Sequence, residues 1–265
     1  MKRWIATMIA LPLLGASLIY RGPMDRVIKS SIVLSRDFSR IAFVAKEGKD
    51  KYTVVVDGKP LGTYRGILRG SLRFLGRDLF LVTLGKEGWR AQYKGKRTRA
   101  YQAIYPESLT FHGEKFAFVG KRGKDFFVNI NGVEFGPYQG VLRDSLKLGK
   151  GYFFVVQRGK KWEAIFYGKS LGLYPLILAR TITVSPDWNH VAFIADGKPQ
   201  VLYIDGKPAA RYDYFLSQYV LSRREGKFLR PHYGPRMKFV GTHLIFYGVK
   251  DDGIYLEKIP LLPRK

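Results

Sequence analysis

The chain has 265 residues, of which 46% are hydrophobic, so it is long enough to bury a large core. The 46 Lys and Arg against 21 Asp and Glu leave a formal net charge of +25, which favours anionic partners. The absence of cysteine excludes disulfide bonds, thiolate zinc sites, a cysteine nucleophile and a lipid-bearing cysteine.

The first 20 residues combine two cations with an apolar run. Lys2 and Arg3 precede the run, which extends from Trp4 to Tyr20. This pattern predicts a signal peptide or signal anchor at residues 1–20, and a buried N-terminal helix or strand is the alternative. We therefore expect the protein to be exported, periplasmic or extracellular, or anchored to the cytoplasmic membrane facing outward. Whether the segment is cleaved stays open.

Residues 185–215 show the local pattern on which the rest of the chain is built. Residues 191–195 form a short apolar run, long enough for a buried strand and too short for a helix. Asp196-Gly197 and Asp205-Gly206 predict turns on either side of a second strand at residues 201–204, because this pair favours positive φ. A further strand begins at Tyr212.

This pattern recurs along the chain. The turn glycine returns at intervals of 36 to 38 residues, as Gly58, Gly95, Gly132, Gly168 and Gly206. A tyrosine follows six residues after each glycine, as Tyr64, Tyr101, Tyr138, Tyr174 and Tyr212. An apolar residue and then a hydroxyl residue come next, the latter as Ser71, Ser108, Ser145 and Thr181. This period, with about four strands per unit, is typical of the blades of a β-propeller.

The two ends of the chain predict how the array closes. Residues 24–34 align with 138–148, so the N-terminal segment reads as the fourth strand of a blade. Residues 236–248 align with 108–120 and supply the other strands of that blade. Pairing of the two ends would remove the exposed sheet edges. The sequence thus predicts an all-β, six-bladed propeller, with seven blades as the alternative.

The predicted domain spans residues 24–260 as a single propeller, which we expect to be a monomer. Its units are approximately 31–68, 71–105, 108–142, 145–178, 181–215, and 236–259 together with 24–30.

Two segments resemble a known repeat. Residues 185–195 begin Ser-Pro-Asp and continue to Val-Ala-Phe, and residues 35–45 are a weaker copy. Both resemble the repeat of TolB-type, WD40-like propellers, although Trp188 and Phe38 stand where that family has glycine. The resemblance implies the propeller fold and a habit of binding. It implies no reaction, since one fold hosts many functions.

The segment 216–235 interrupts the period. Because long insertions on a repeat scaffold often lie on one face and carry function, this segment is the predicted binding site. A weakly formed strand with a solvated loop is the alternative. The candidate binding residues are Arg223, Arg224, Lys227, Arg230, His232 and Tyr233.

Motifs for chemistry are absent from the sequence. The four histidines, His112, His190, His232 and His243, show no metal-ligand spacing, and no Gly-x-Ser-x-Gly, phosphate-binding loop or dinucleotide fingerprint occurs. Asp57 and Asp205 precede turn glycines, where we expect bonds to the backbone. We therefore assign no catalytic residue, no metal site and no cofactor.

The sequence favours a non-enzymatic binding scaffold of the cell envelope that recognises a protein or an anionic envelope polymer. The N-terminal segment would attach it to the membrane if it is not cleaved. The first alternative is a hydrolase or lyase that acts on an anionic glycan at the centre of the propeller. The second is nucleic-acid binding, which requires that the chain is not exported.

Overall fold

The computed structural model describes residues 24–195, 197–215, 217–220, 223–224, 227–228, 232–235, 237–251 and 253–261. For residues 24, 214, 217–220, 223–224, 227–228 and 232–235 it describes the backbone alone. The predicted signal or anchor segment, residues 1–20, lies outside this part. The described residues contain four short 3-10 helices, at Met24–Arg26, Lys29–Ser31, Pro106–Ser108 and Ala179–Thr181.

Six antiparallel sheets follow one another along the chain, like the blades of a propeller, and confirm the predicted all-β class. Sheet 1 holds β1 (Val33–Leu34), β2 (Ile41–Gly48), β3 (Lys51–Val56) and β4 (Lys59–Tyr64). Sheet 2 holds β5 (Gly66–Ile67), β6 (Arg73–Leu75), β7 (Asp78–Leu84), β8 (Trp89–Tyr93) and β9 (Lys96–Arg97). Sheet 3 holds β10 (Ala103–Ile104), β11 (Thr110–His112), β12 (Lys115–Arg122), β13 (Asp125–Ile130) and β14 (Val133–Tyr138).

The second half of the chain continues the series. Sheet 4 holds β15 (Gly140–Val141), β16 (Lys147–Leu148), β17 (Tyr152–Arg158), β18 (Lys161–Phe166) and β19 (Lys169–Tyr174). Sheet 5 holds β20 (Thr183–Val184), β21 (Val191–Ala195), β22 (Gln200–Ile204) and β23 (Lys207–Tyr212). Sheet 6 holds β24 (Tyr214–Phe215), β29 (Lys238–Val240), β30 (His243–Lys250) and β31 (Gly253–Pro260). A hairpin between β24 and β29 holds β25 (Ser217–Val220), β26 (Arg223–Arg224), β27 (Lys227–Phe228) and β28 (His232–Pro235).

The first strand of a sheet is broken by a bend. In sheet 2, β5 and β6 both pair with β7, with Gly66 opposite Leu84 and Arg73 opposite Phe80. The two pieces therefore form one interrupted strand on the same side of β7. Sheets 3 and 4 repeat this arrangement with β10 and β11 on β12, and with β15 and β16 on β17.

Apolar side chains fill the space between successive sheets. Phe80 and Val82 of sheet 2 pack with Phe116 and Phe118 of sheet 3, and all four are buried. Four further clusters join sheets 1 and 2, 3 and 4, 4 and 5, and 5 and 6. Because the second strand of each inner sheet is covered on both faces, its sequence reads as a nearly continuous apolar run.

The repeated tyrosines lie in these clusters, as the sequence predicts. Tyr101 is buried at the junction of sheets 2 and 3. Its ring packs directly on Gly120, where a Cβ atom would lie only 2.4 Å from Tyr101 Cδ1. Tyr212 lies in the same way on Gly248 of sheet 6. A glycine on the second strand therefore admits the tyrosine of the preceding sheet.

The repeated turns also agree with the sequence. Each turn glycine has positive φ, and so does the residue before it, which is the geometry of a two-residue type I′ hairpin. Asp57 and Asp205 do accept backbone bonds, but from Ile41 and Val191 at the start of the neighbouring second strand, at 2.9 and 3.0 Å. The carboxylate thus fastens the hairpin to the adjacent strand.

The predicted closure by the N-terminal segment is not confirmed. Val27 pairs with Ala45, and Ile28 donates a backbone hydrogen bond to Val44, so residues 24–30 lead into sheet 1. The residues that follow each repeated tyrosine likewise belong to the next sheet, as Gly66–Ile67 do when they pair with β7 of sheet 2. The number of blades in a closed ring stays a prediction.

In the described part of the chain, sheet 6 consists of β30, β31 and an interrupted first strand whose two pieces are β24 and β29. Its third strand, β31, pairs with β30 alone there, whereas the third strand of each preceding sheet also pairs with a fourth. Ile254 and Leu256 on β31 are 68% and 52% exposed, and Tyr247 opposite Leu256 is 38% exposed. The aligned positions in sheet 3, among them Val119 and Val128, are buried against sheet 4. The outward face of sheet 6 is therefore apolar and exposed.

Candidate functional site

The bends of the first strands share one hydrogen-bonding device, which is built on the repeated hydroxyl residue. Ser71 Oγ donates to the Leu68 carbonyl at 2.7 Å and accepts the Val82 N–H at 3.0 Å. Ser31, Ser108 and Thr181 make both bonds, and Ser145 accepts the N–H of Val155 at 3.1 Å. The hydroxyl therefore satisfies the backbone groups that the break in the strand would leave unpaired.

The five bends lie towards the same end of the first strands, and we call them together the bend surface. It comprises residues 28–31, 68–71, 105–108, 142–145 and 178–181. The bends occupy the same register in their sheets, because each hydroxyl bonds to the equivalent residue of the second strand. First strands of neighbouring sheets contact each other, as β1 contacts β6 and β11 contacts β16. The bends are consequently neighbours.

The bend surface is rich in cations. Lys29, Arg69, Arg143 and Arg180 are exposed on four of the five bends. No ion pair in the described part of the chain includes any of them. Glu107 and Asp144 are the acids of this surface. Cations that are unpaired within the fold leave this surface able to attract anionic groups.

The insertion replaces the sixth bend. It leaves sheet 6 between β24 and β29, the two pieces of that sheet's first strand. Its strands pair as a hairpin, with Ser217 opposite Pro235 at the base and Arg224 opposite Lys227 near the tip. Strand β28 contacts the 3-10 helix Ala179–Thr181, which is the bend of sheet 5. The hairpin therefore stands beside the bend surface.

The predicted binding residues fall on this hairpin. The backbones of Arg223, Arg224 and Lys227 lie in its outer strands, and those of His232 and Tyr233 lie in β28 near its base. Arg230 lies outside the described residues. The structure thus places three predicted cations at the end of a hairpin, and their side chains belong to the part that it leaves undescribed.

The turns at the other end of the first strands carry the Ser-Pro-Asp motif. Ser185 Oγ donates to Asp187 at 2.5 Å and accepts the His190 N–H at 2.9 Å. The copy at Ser35 and Asp37 makes the same bonds, and hydrogen bonds from Ser35 and then Ser39 lower the pKa of the Asp37 carboxyl to about 2. The residue before the second strand also binds the turn aspartate, as His190 does with Asp205 and Arg40 does with Asp57. A histidine that occupies the place of an arginine in an equivalent turn has a structural role, as the sequence predicts.

A buried polar network lies between sheets 2 and 3. Tyr101 Oη donates to Glu134 at 2.6 Å, Arg122 pairs with the same carboxylate, and the Arg122 guanidinium lies 4.1 Å from the ring centroid of Phe127. Burial, together with the bond to Glu134, raises the pKa of Tyr101. The shared Glu134 carboxylate thus links Tyr101, which follows sheet 2, to Arg122 of sheet 3, while Arg122 Nε is buried without a hydrogen-bond partner.

The described residues include neither a metal-binding cluster nor a helix that could span a membrane. These residues contain no group of three or more His, Asp and Glu that would hold a metal ion. Among them, no helix is long and apolar enough to cross a membrane.

A cleft of about 480 Å³ opens at the bend surface between sheets 3 and 4. Two bends flank it, and its apolar lining includes Val119, Phe126 and Leu142. Its polar lining consists of Ser108, Thr110, Glu107, Arg143, Asp144 and Lys147. This cleft could not be predicted from the sequence, because its lining combines residues of two separate repeats.

No family model matches the chain, and no curated protein matches it. Among solved structures, it is similar to the computationally designed Ika8 protein, with 14% identity, 91% of this chain and 73% of that chain covered, and a TM-score of 0.37. It is similar to the β-propeller domain of the Trilobed protease from Pyrococcus furiosus, with 13% identity, coverage of 88% and 80%, and a TM-score of 0.35. It is also similar to BamB from Moraxella catarrhalis, with 10% identity, coverage of 91% and 85%, and a TM-score of 0.35.

Proposed function

We propose that this protein is a non-enzymatic binding scaffold of the cell envelope that recognises a polyanionic partner, an acidic protein surface or an anionic envelope polymer. The observation that carries the proposal is the position of the hairpin beside the bend surface. Arg223, Arg224 and Lys227 near its tip extend a surface whose four exposed cations make no ion pair in the described part of the chain. An extended polyanion would meet both groups at once.

The test is binding of two probes, polyglutamate as a peptide polyanion and polygalacturonate as a glycan polyanion, to the full chain. Reversal of Arg223, Arg224, Lys227 and Arg230 to glutamate is expected to weaken binding and to reduce its dependence on salt, because fewer counterions are then displaced. A preference for one probe identifies the partner as protein or glycan.

The matched control reverses four exposed cations at or beside the turns between second and third strands: Lys49, Lys124 and Lys160 on the turns, and Lys161 at the start of β18. It makes the same change in net charge at other turns of the array. If both quadruple variants lose binding equally, the effect belongs to total charge and the hairpin is not the site.

The glycan hydrolase or lyase predicted as an alternative requires clustered acids at the inner strands. Glu107 and Asp144 do line one cleft, together with Arg143 and Lys147, which offset their charge. If the protein is a binding scaffold and not an enzyme, its incubation with polygalacturonate should yield no new reducing ends and no unsaturated product. Formation of either product would favour the enzyme.

The location is tested by cell fractionation with mass determination of the N-terminus. A mature chain starting near Leu18 outside the cytoplasmic membrane, or an intact chain in that membrane, supports the envelope assignment. An intact chain in the soluble cytoplasmic fraction would contradict it, and the charge of +25 would then point first to nucleic acid.

A further inference from the structure

The cleft between sheets 3 and 4 has the size and lining of a small-molecule site. Its volume of about 480 Å³ falls within the range of ordinary ligand pockets, roughly 300–1,000 Å³. Val119, Leu142 and Leu146 supply an apolar lining, and Tyr105 stacks on Phe126 at its edge with ring centroids 6.0 Å apart. A flat or short apolar group would find van der Waals contact there.

One cation within this lining differs from the exposed cations of the bend surface. Lys147 is half-buried on β16, and burial lowers the pKa of its ammonium group. In the described part of the chain, no carboxylate lies within ion-pairing distance of it, and no hydrogen bond includes it. Asp144 attracts this ammonium group from beyond ion-pairing distance, but its effect on the pKa is smaller than that of burial. Because a half-buried ammonium group costs free energy, a ligand carboxylate that bonds directly to Lys147 would be stabilised in the cleft.

The other polar groups are placed to orient such a ligand. Thr110, on β11, lines the same cleft and can donate its hydroxyl proton to an anion. Glu107 and Asp144 are exposed on the bends, and their charge disfavours a second negative group on the ligand there. The cleft therefore suits one carboxylate directed inward and a body without further negative charge.

We propose that this cleft binds a small monocarboxylate with an apolar or aromatic body, whose carboxylate is held by Lys147 and Thr110. The site is independent of the hairpin, so it does not depend on the polyanion-binding function. It adds a second ligand class to the same scaffold.

The test is isothermal titration of the full chain with 3-phenylpropionate, with the neutral 3-phenylpropanol as the matched ligand. The carboxylate is expected to bind at least about tenfold more tightly than the alcohol, since a charge-assisted bond is at stake. Lys147→Met should abolish that preference, and Lys147→Arg should retain most of it. Lys160→Met, which removes an exposed cation from the same sheet, should leave it unchanged.

A measurement on the unaltered chain keeps the test decisive if a variant does not fold. Saturating 3-phenylpropionate should slow acetylation of Lys147 by acetic anhydride, followed by peptide mass mapping, and leave that of Lys160 as before. Equal binding of acid and alcohol, or unchanged acetylation of Lys147, would overturn the proposal.

Discussion

At the scale of single residues, the contact between tyrosine and glycine decides how closely two sheets approach. A Cβ at position 120 would lie 2.4 Å from Tyr101 Cδ1, and the ring is buried, so it has little room to move. Gly120→Ala is expected to lower the free energy of unfolding by about 1–3 kcal/mol, the usual cost of overpacking a core.

Urea denaturation measures this change, and Gly48→Ala is its control. Nothing lies within 4 Å of a Cβ at position 48, so this variant should keep the stability of the original chain. Equal stability of the two variants would show that the ring moves aside without cost.

The tyrosine hydroxyls make stability depend on alkaline pH. Burial, and then the hydrogen bond to Glu257, raise the pKa of Tyr212 from 10.0 to about 12. The unfolded phenol loses its proton near its ordinary pKa while the folded one keeps it. This group therefore contributes stability that is present in full below about pH 10 and is lost as the pH rises towards about 12.

Tyr212→Phe removes that contribution. The variant should be less stable than the original chain at about pH 9, and the difference should shrink by about pH 11, because only the original chain has the phenol to lose. Urea midpoints of both proteins at the two pH values measure it. A difference that stays constant with pH would contradict the linkage.

Some structural roles of single residues could be predicted from the sequence, and others could not. The turn glycines and the tyrosines could be predicted, because positive φ and the filling of an interface each demand a particular residue type. The Arg122–Glu134 pair could not, since its members belong to different strands and the other repeats do not carry the same pair. The partial burial of Lys147 could not be predicted either, because a lysine in a basic chain rich in turns is expected to be exposed.

At the scale of elements, the break in the first strand depends on one hydroxyl. Ser71 is fully buried and its Oγ accepts the Val82 N–H, so Ser71→Ala leaves a buried donor without a partner. We expect a loss of about 1–3 kcal/mol in the free energy of unfolding. Ser30→Ala, at an exposed serine on the bend of sheet 1, should stay within about 0.5 kcal/mol of the original chain.

Thermal or urea unfolding of the two serine variants gives the comparison. If Ser71→Ala unfolds with the original chain, the Val82 N–H has found another acceptor and the repeated hydroxyl is not what secures the bend.

The sequence predicts that the strand after each tyrosine ends the preceding sheet, whereas the structure pairs it with the second strand of the next sheet. Residues 24–34 do correspond to 138–148, since Val27 and Val141 pair with equivalent residues of their second strands, Ala45 and Val156. The residues after each tyrosine cross to the next sheet without a break in the period. A period defines the length of a unit and leaves its starting point undetermined.

At the scale of the whole molecule, the described chain is a series of similar sheets, in which sheets 2 to 5 each pack on both neighbours in sequence and sheets 1 and 6 each pack on one. Contacts in such an array are mainly local, so stability is close to a sum of unit and interface contributions. The insertion at the sixth bend adds a hairpin without disturbing this order, because it leaves the row between the two halves of one strand. A binding element can therefore be changed independently of the packed sheets.

The third strand of sheet 6, β31, is paired on one side only in the described part of the chain, and this affects how the protein unfolds. Amide protons of β31 bond only towards β30 in the described part of the chain, and Ile254 and Leu256 beside them are exposed. Local opening there breaks fewer bonds and uncovers less apolar surface than opening of sheet 3 or 4. Native-state hydrogen exchange should therefore show the fastest opening at the carboxyl-terminal sheet and the slowest in β12 and β17. Among the described sheets, local unfolding therefore begins at sheet 6 and reaches sheets 3 and 4 later.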